Sequence, residues 1–448
     1  MSIKGQIGGV RRRARTASRR LAGKARPAAT ATVERVNAGA RALPMPHAVR
    51  VGMSKAVLRR PRPIRVPIDS LLLGAQVGVP AAQVAEIVGD PLWPSTRVVD
   101  GPHAALLRLA DERGAALSDD DIVASDYGRI SLRCIDARGS YFGVTDHHGV
   151  VALARDYIAR YHGKTPTNNA AADYRSRHND PVLVAPVKAS ECYQVLDGHH
   201  RLALAAMQGE QYVEVSAKWR PTTTPLQDLL SRMSWLEGNR ELYQPVDAPE
   251  LRQSWPRVRR CTDRRDKMLA FLGQRDLLPP TTSSYLDVAS CYGWFVNEMT
   301  TAGFNARGIE RDPLGPRLGN IVYGLPEQVI RVGDAERLLL DEPRTDVVSC
   351  FSLLHHFVLG RASVDAAELV RLLDRVTGRV LFLDSGEDHE AWFRESLAGW
   401  DAAKINSFLQ EHGTFGEIVD LGPDCDAIPP YENNYGRHLF ACVRAAGS

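Results

Sequence analysis

Residues 285–293 read Tyr-Leu-Asp-Val-Ala-Ser-Cys-Tyr-Gly. Residues 285–289 form a short, largely apolar run that suits a buried strand, and the small residues behind it suit a tight turn. Residues 292–302 then carry apolar side chains at helical spacing, and residues 306–309 form a second strand-like run. Further strands are predicted at 329–332, 346–351 and 379–383, separated by helical stretches such as 366–373. Strands alternating with helices imply a parallel, doubly wound α/β sheet, because parallel neighbours need a crossover connection. Ligands of such sheets lie beyond the carboxyl ends of the strands, where the turn after Asp287 falls.

The turn Asp287-Val-Ala289-Ser290-Cys291-Tyr292-Gly293 resembles the first motif of class I S-adenosylmethionine (SAM)-dependent methyltransferases. Gly293 matches the last glycine of that pattern, Ala289 stands where glycine is usual, and Cys291 fills the middle. Small residues there let the backbone approach the cofactor's amino-acid end, and alanine does so without strain only at negative φ. The resemblance implies that Asp287 orients the methionine end. Glu310, twenty-three positions after Asp287, would accept the ribose hydroxyls. Gly333-Asp334-Ala335 ends the third strand, where the family places an acid near the adenine amino group, and Ser352 ends the fourth. The implied architecture is a seven-stranded, Rossmann-like methyltransferase domain over residues 255–448, closed by an antiparallel hairpin within 415–442, with SAM as cofactor. A nicotinamide enzyme would show Gly-x-Gly-x-x-Gly, and this turn does not.

Ser352-Leu-Leu-His355-His356 resembles the Ser-x-x-His-His segment of many small-molecule and glycan methyltransferases. It follows the strand that ends beside the transferred methyl, so His355 and His356 are the candidate general bases for a hydroxyl acceptor. As neighbours on a first helical turn, only one of them is expected to face the site. Asp384, His389 and Glu390 follow the fifth strand; their spacing matches no metal site, and they read as loop polarity. No metal centre is expected in this domain.

A smaller α+β domain is expected over residues 64–220, followed by a linker at 221–254 and an amphipathic helix over 257–272. Within it, Leu196-Asp197-Gly198-His199-His200-Arg201 resembles the strand–turn–helix signature of the ParB/sulfiredoxin superfamily. That resemblance implies a nucleotide site, with ATP or CTP and Mg²⁺ as ligands. Asp197 would hold the metal or activate a hydroxyl, His199 and His200 would meet phosphates at the helix N-terminus after Gly198, and Arg201 would neutralise charge. The module would bind a nucleotide or phosphorylate the substrate.

Residues 1–65 hold seventeen Lys or Arg and one acid (Glu34), a net +16; the chain's +3 leaves −13 for the remainder. The basic stretch, residues 1–63, has too few large apolar residues to order itself and is expected to be a solvated tail, with attraction to anionic membrane or nucleic acid. Seven scattered cysteines without a CxxC pair fit reduced thiols and a cytoplasmic protein. No apolar run is long enough to span a bilayer. These readings point to a SAM-dependent methyltransferase with a small-molecule or glycan acceptor. Two other classes stay open: a nucleic-acid-associated methyltransferase, and a non-catalytic scaffold that binds SAM or a nucleotide. Against the first, no Asn/Asp-Pro-Pro-Tyr motif follows the fourth strand and the body is acidic. For the second, Ala289 and Cys291 depart from the binding pattern.

Overall fold

The structure is a computed structural model and describes residues 62–76, 79–164, 181–218, 220–233, 241–253, 255–276 and 283–445. The basic stretch therefore lies outside the described residues except at its end.

The N-terminal unit opens with β1 (Arg62–Pro67) and β2 (Leu71–Leu72). Five helices follow: α1 (Ala81–Val88), α2 (Pro102–Arg113), α3 (Asp119–Ala124), α4 (Asp126–Arg138) and α5 (His147–Tyr161). The chain then adds β3 (Leu183–Pro186), β4 (Tyr193–Asp197), α6 (His199–Met207) and β5 (Tyr212–Ala217). The sheet order is β1-β5-β3-β4-β2, with parallel and antiparallel neighbours mixed. Side-chain caps start three of the helices: Ser118, Ser125 and Asp146 each accept from a backbone N–H of the first turn. One core lies against the sheet around Leu71, Val84, Val184 and Val195, and a second lies among the helices around Leu107, Ile122, Val150 and Leu153.

Residues 221–261 are more than a spacer. Helix α7 (Pro225–Arg232) starts with a capping box between Thr224 and Gln227, and Leu226, Leu229 and Leu230 bury against Trp255, Tyr292 and Leu318. The amphipathic helix expected from 257 begins only at Thr262, as α8 (Thr262–Gln274). Residues before it run extended instead, bridging Leu242 to Arg257 and Arg259 to Ala427.

The C-terminal unit runs β6 (Ser284–Val288), α9 (Trp294–Thr301), β7 (Asn305–Glu310), α10 (Leu314–Tyr323), β8 (Ile330–Val332), α11 (Ala335–Asp341) and β9 (Thr345–Cys350). It continues with α12 (Leu354–Val358), α13 (Ala366–Val376), β10 (Thr377–Leu383), α14 (Ala402–His412), β11 (Glu417–Pro423) and β12 (His438–Val443). Its seven strands lie in the order β11-β12-β10-β9-β6-β7-β8, parallel except β12, which is antiparallel to both neighbours. This is the seven-stranded, doubly wound sheet with a closing hairpin that the sequence pattern implies. The strands read as continuous apolar runs because both faces are covered: Leu286, Val348 and Leu381 pack on one side, and Tyr285, Val347 and Phe382 on the other. Strand order reverses between β6 and β9, which opens the crevice where such sheets bind ligands. Among the described residues, no helix is long and apolar enough to cross a membrane. All seven cysteines are unpaired, and only Cys425 is exposed.

Helix α10 carries Gly315 and Gly319 on the face that meets the turn after β6. A Cβ at 315 would sit 2.3 Å from the Cys291 carbonyl oxygen, and one at 319 would sit 2.2 Å from that of Tyr292. Gly to Ala within a helix ordinarily stabilises by roughly 0.5–1 kcal/mol. Here the sign should invert: Gly319→Ala is expected to lower stability by about 1–3 kcal/mol, read as a fall in thermal midpoint. An unchanged or higher midpoint would show that the helix does not rest on the turn.

Candidate functional site

The carboxyl ends of β6, β7, β8 and β9 open onto a cavity of about 780 Å³, within the range of small-molecule sites. It gathers Ala289, Cys291, Glu310, Asp334, Ala335, Ser352, His355 and His356 from the residues singled out in the sequence.

The rest of the turn does not border it, which corrects the expectation that the whole turn contacts the cofactor. Ser290 is fully buried and its N–H donates to the Ile309 carbonyl. Tyr292 is fully buried in the apolar cluster with Trp255 and Leu318. Gly293 opens α9, where a Cβ would press on Ile330 and Leu325. Alternate residues of a tight turn face opposite ways, so only Ala289 and Cys291 turn to the cavity. Both have positive φ, 65° and 55°, at a cost of roughly 1–2 kcal/mol each for a non-glycine residue. The alanine at the glycine position is therefore strained, while α10 packs on the carbonyls of Cys291 and Tyr292 further along the turn.

Glu310 ends β7 and is fixed by backbone N–H groups on both carboxylate oxygens. Its Oε2 accepts from the Cys291 N–H at 2.7 Å and its Oε1 from the Asp312 N–H at 2.9 Å. Each oxygen keeps acceptor capacity for a further donor. Asp334, half-exposed at the end of β8, is paired with Arg311 at 3.3 Å. Asp287 lies behind the cavity wall and is buried. Ser349 donates to its Oδ1 at 2.6 Å, and Tyr285 donates in turn to the Ser349 hydroxyl at 2.5 Å. Asp287 Oδ2 has no partner. Burial lifts this carboxyl to a pKa of about 7, against the lowering effect of Ser349 and Arg264.

Beneath Ser352 lies a layer of buried charge that local sequence patterns do not reveal. Arg259 pairs with Asp424 at 2.5 Å, Arg264 with Asp384 at 3.0 Å and Asp426 at 3.1 Å, and Arg437 with Glu390 at 2.7 Å. Ser352 has φ 57° and donates its N–H to Asp384 Oδ1 at 2.6 Å. Its hydroxyl accepts from Arg259 at 3.1 Å and Arg437 at 2.8 Å. The layer thus fixes the bend that carries the chain from β9 into α12. Asp384 and Glu390 are anchors of this layer, while His389 bonds the Tyr435 carbonyl; none borders the cavity. Among the described residues, no group of three or more His, Cys, Asp or Glu is placed to hold a metal.

His355 and His356 both border the cavity, with ring centroids 4.3 Å apart, so the expectation that only one faces it is corrected. The cavity wraps the N-terminus of the short α12 and meets two adjacent positions. Their roles still differ. His355 Nδ1 accepts from the Gly386 N–H at 3.0 Å, which puts its proton on Nε2 and makes that nitrogen a donor. His356 is half-buried, and its ring nitrogens carry no hydrogen bond among the described residues. Burial, then the charges of Arg361 and Arg437, lowers its pKa and keeps it neutral near pH 7.

No family profile and no curated protein matches the chain. Among solved structures, the chain is similar to the bifunctional kinase-methyltransferase WbdD, at 19% identity over 49% of this chain and 46% of that one, with a TM-score of 0.38. It spans about half of WbdD's length. It is also similar to magnesium protoporphyrin IX methyltransferase (ChlM) from Synechocystis PCC 6803 with bound SAH, at 17% identity over 40% of this chain and 81% of that one, TM-score 0.30. A further similarity is to EvdMO1, at 22% identity over 40% of each chain, TM-score 0.28.

The turn between β4 and α6 differs from its expected form. Gly198 has φ 107°, as the tight joint requires. Arg201 pairs with Asp197 at 3.0 Å. His199 and His200 are buried: His199 Nε2 accepts from the Gly74 N–H at 3.1 Å, and His200 Nε2 meets the Tyr127 hydroxyl at 2.9 Å. Burial drives both pKa values down, so both are neutral core groups. The first turn of α6 packs inward on Trp93, His103 and Tyr127, which removes these rings from any phosphate at the surface.

Sequence reading also missed the cavity's aromatic side: Tyr243, Trp392, Phe393 and Tyr435 come from connecting segments without periodic pattern. Trp392 is one of the few large apolar side chains left exposed among the described residues, and its indole N–H is fixed on Glu390 at 2.7 Å.

Proposed function

We propose that the chain is a SAM-dependent methyltransferase acting on a hydroxyl of a small molecule or glycan intermediate. The observation that carries this reading is Glu310, a carboxylate at the end of β7 beside the switch point, fixed on both oxygens by backbone N–H groups and with capacity left on each oxygen for a hydroxyl of a ribose cis-diol. The orphaned Asp287 Oδ2, behind the cavity wall, fits the same reading, since a buried acceptor without a donor costs about 1–3 kcal/mol and a water bridging it to a ligand ammonium removes that cost.

SAM when bound supplies an electrophilic methyl on sulfonium. The remaining work falls to the chain. Ala289 and Cys291 let the backbone approach, Glu310 and Asp334 orient the nucleoside, and Ser352 anchors the β9 bend. His356 accepts the proton of the acceptor hydroxyl, and His355 donates from Nε2 to an acceptor oxygen. The aromatic side, with Trp392 and Tyr435, excludes water from the transfer. The glycan preference comes from the Ser352–His356 resemblance. In the N-terminal unit His199 and His200 are buried and Asp197 pairs with Arg201, an arrangement that disfavours nucleotide handling there.

Incubating the protein with methyl-labelled SAM and a small-molecule and glycan extract is expected to place label on an acceptor hydroxyl. Label on RNA or DNA alone would support the nucleic-acid reading instead, and no transfer to any acceptor would favour a binding scaffold.

A pH dependence follows from Asp287. A cationic ligand end favours its ionised form, and the free carboxyl titrates near 7. SAM affinity should therefore rise with pH up to about 7, by up to about tenfold per unit below it, then level off. Asp287→Asn should flatten the profile; an unchanged slope in that variant assigns the titration elsewhere.

A further inference from the structure

We propose that residues 241–251, the stretch joining the two units, form a strap that completes the cofactor turn, with Gln244 as its positioning residue. The proposal rests on the SAM reading above. Helix α9 begins at Gly293, which has no side chain to cap it, and the first N–H groups of any helix need partners from elsewhere. Gln244 supplies them from 50 positions upstream. Its Oε1 accepts from the Tyr292 N–H at 2.9 Å and the Trp294 N–H at 3.1 Å, and its Nε2 donates to the Ser290 carbonyl at 3.1 Å. One buried amide therefore fixes three consecutive features of the turn whose strained Cys291 orients Glu310.

The strap is itself tied down at both ends. Tyr323 of α10 donates to the Pro245 carbonyl at 2.5 Å, and neighbouring Tyr243 forms part of the cavity wall. Val246, Ala248 and Leu251 bury in one cluster with Tyr292, Leu318 and the apolar face of α7. At the far end, the fully buried Glu250 accepts from Thr224 at 2.9 Å and from Ser95 of the N-terminal unit. The N-terminal unit is thus fastened, through Glu250 and the strap, to the loop that orients the nucleoside. Residues 255–448 hold every methyltransferase-like motif of the sequence yet lack this amide.

The experiment is a calorimetric SAM titration of full-length protein: wild type, Gln244→Met, Gln244→Asn and, as a stability control, Leu107→Ala in the helical core of the N-terminal unit. Gln244→Met leaves two amides and a carbonyl unpaired and should weaken SAM at least about tenfold, while the shorter Gln244→Asn should weaken it by about threefold or more. Leu107→Ala should lower the thermal midpoint yet leave affinity within about twofold of wild type. Wild-type affinity in both Gln244 variants, or equal weakening by Leu107→Ala, overturns the proposal while leaving the SAM reading in place. Should the Met variant not fold, the Asn variant decides by the same criterion. Failure of the wild type to bind SAM removes the underlying reading and the strap's role with it.

Discussion

Glu310→Gln is expected to weaken SAM binding by about a hundredfold, roughly 2–3 kcal/mol, with little change in side-chain volume. Both carboxylate oxygens now accept backbone N–H groups, from Cys291 and Asp312. Whichever way the amide is turned, its NH₂ meets one of those donors, so the variant sets donor against donor in a buried place and loses an acceptor for a ribose hydroxyl. The Cys291 amide belongs to a residue at φ 55°, and losing its partner removes part of what holds that strained conformation. The effect should show in the dissociation constant. A variant that binds SAM as tightly as wild type would mean that Glu310 faces no ribose.

The second large effect is expected in turnover. His356→Ala should lower kcat by about 10²–10⁴, the usual contribution of a positioned general base, with SAM affinity nearly unchanged. His355→Ala should act differently. It strands the Gly386 N–H, costs about 1 kcal/mol of stability, and reduces turnover less. The pH profile separates the roles further. A base works in its neutral form, and burial with the nearby arginines lowers the His356 pKa below 6.5. Turnover should then be flat through neutrality and fall only on the acid side, with its midpoint below the usual imidazole range. Loss of binding and turnover together in His356→Ala would show that the ring supports the cavity and takes no proton.

Much of the C-terminal unit is legible in the sequence because its determinants are local. A strand covered on both faces is largely apolar, and the run at Val347, Val348 and Cys350, broken only by Ser349, shows this without any partner in view. The interval from Asp287 to Glu310 is set by one turn, one helix and one strand, so the spacing alone places both acids at the carboxyl edge of the sheet. What the sequence conceals is long-range. Arg259 and Arg264 look like the polar face of a helix, yet they are buried because Asp384, Asp424 and Asp426 lie against them, 120 to 165 positions away. Gln244 sits in a segment without periodicity, and its role appears only when α9 is found to lack a cap of its own. The φ values of Ala289 and Ser352 likewise depend on what packs against them. In the N-terminal unit, the strand–turn–helix geometry was readable at Gly198, but the inward rotation of His199 and His200 depends on Trp93 and Tyr127, which belong to distant elements.

The methyltransferase reading requires Glu310 and Asp334, with Asp287 behind them, to hold an adenosyl group in the cavity. A crystal structure of the whole 448-residue chain with S-adenosylhomocysteine decides this. The expected result is one ligand per chain in the crevice between β6 and β9, its ribose hydroxyls on Glu310 and its adenine beside Asp334. Ligand bound elsewhere, or a crevice that stays empty at saturating concentration, would contradict it.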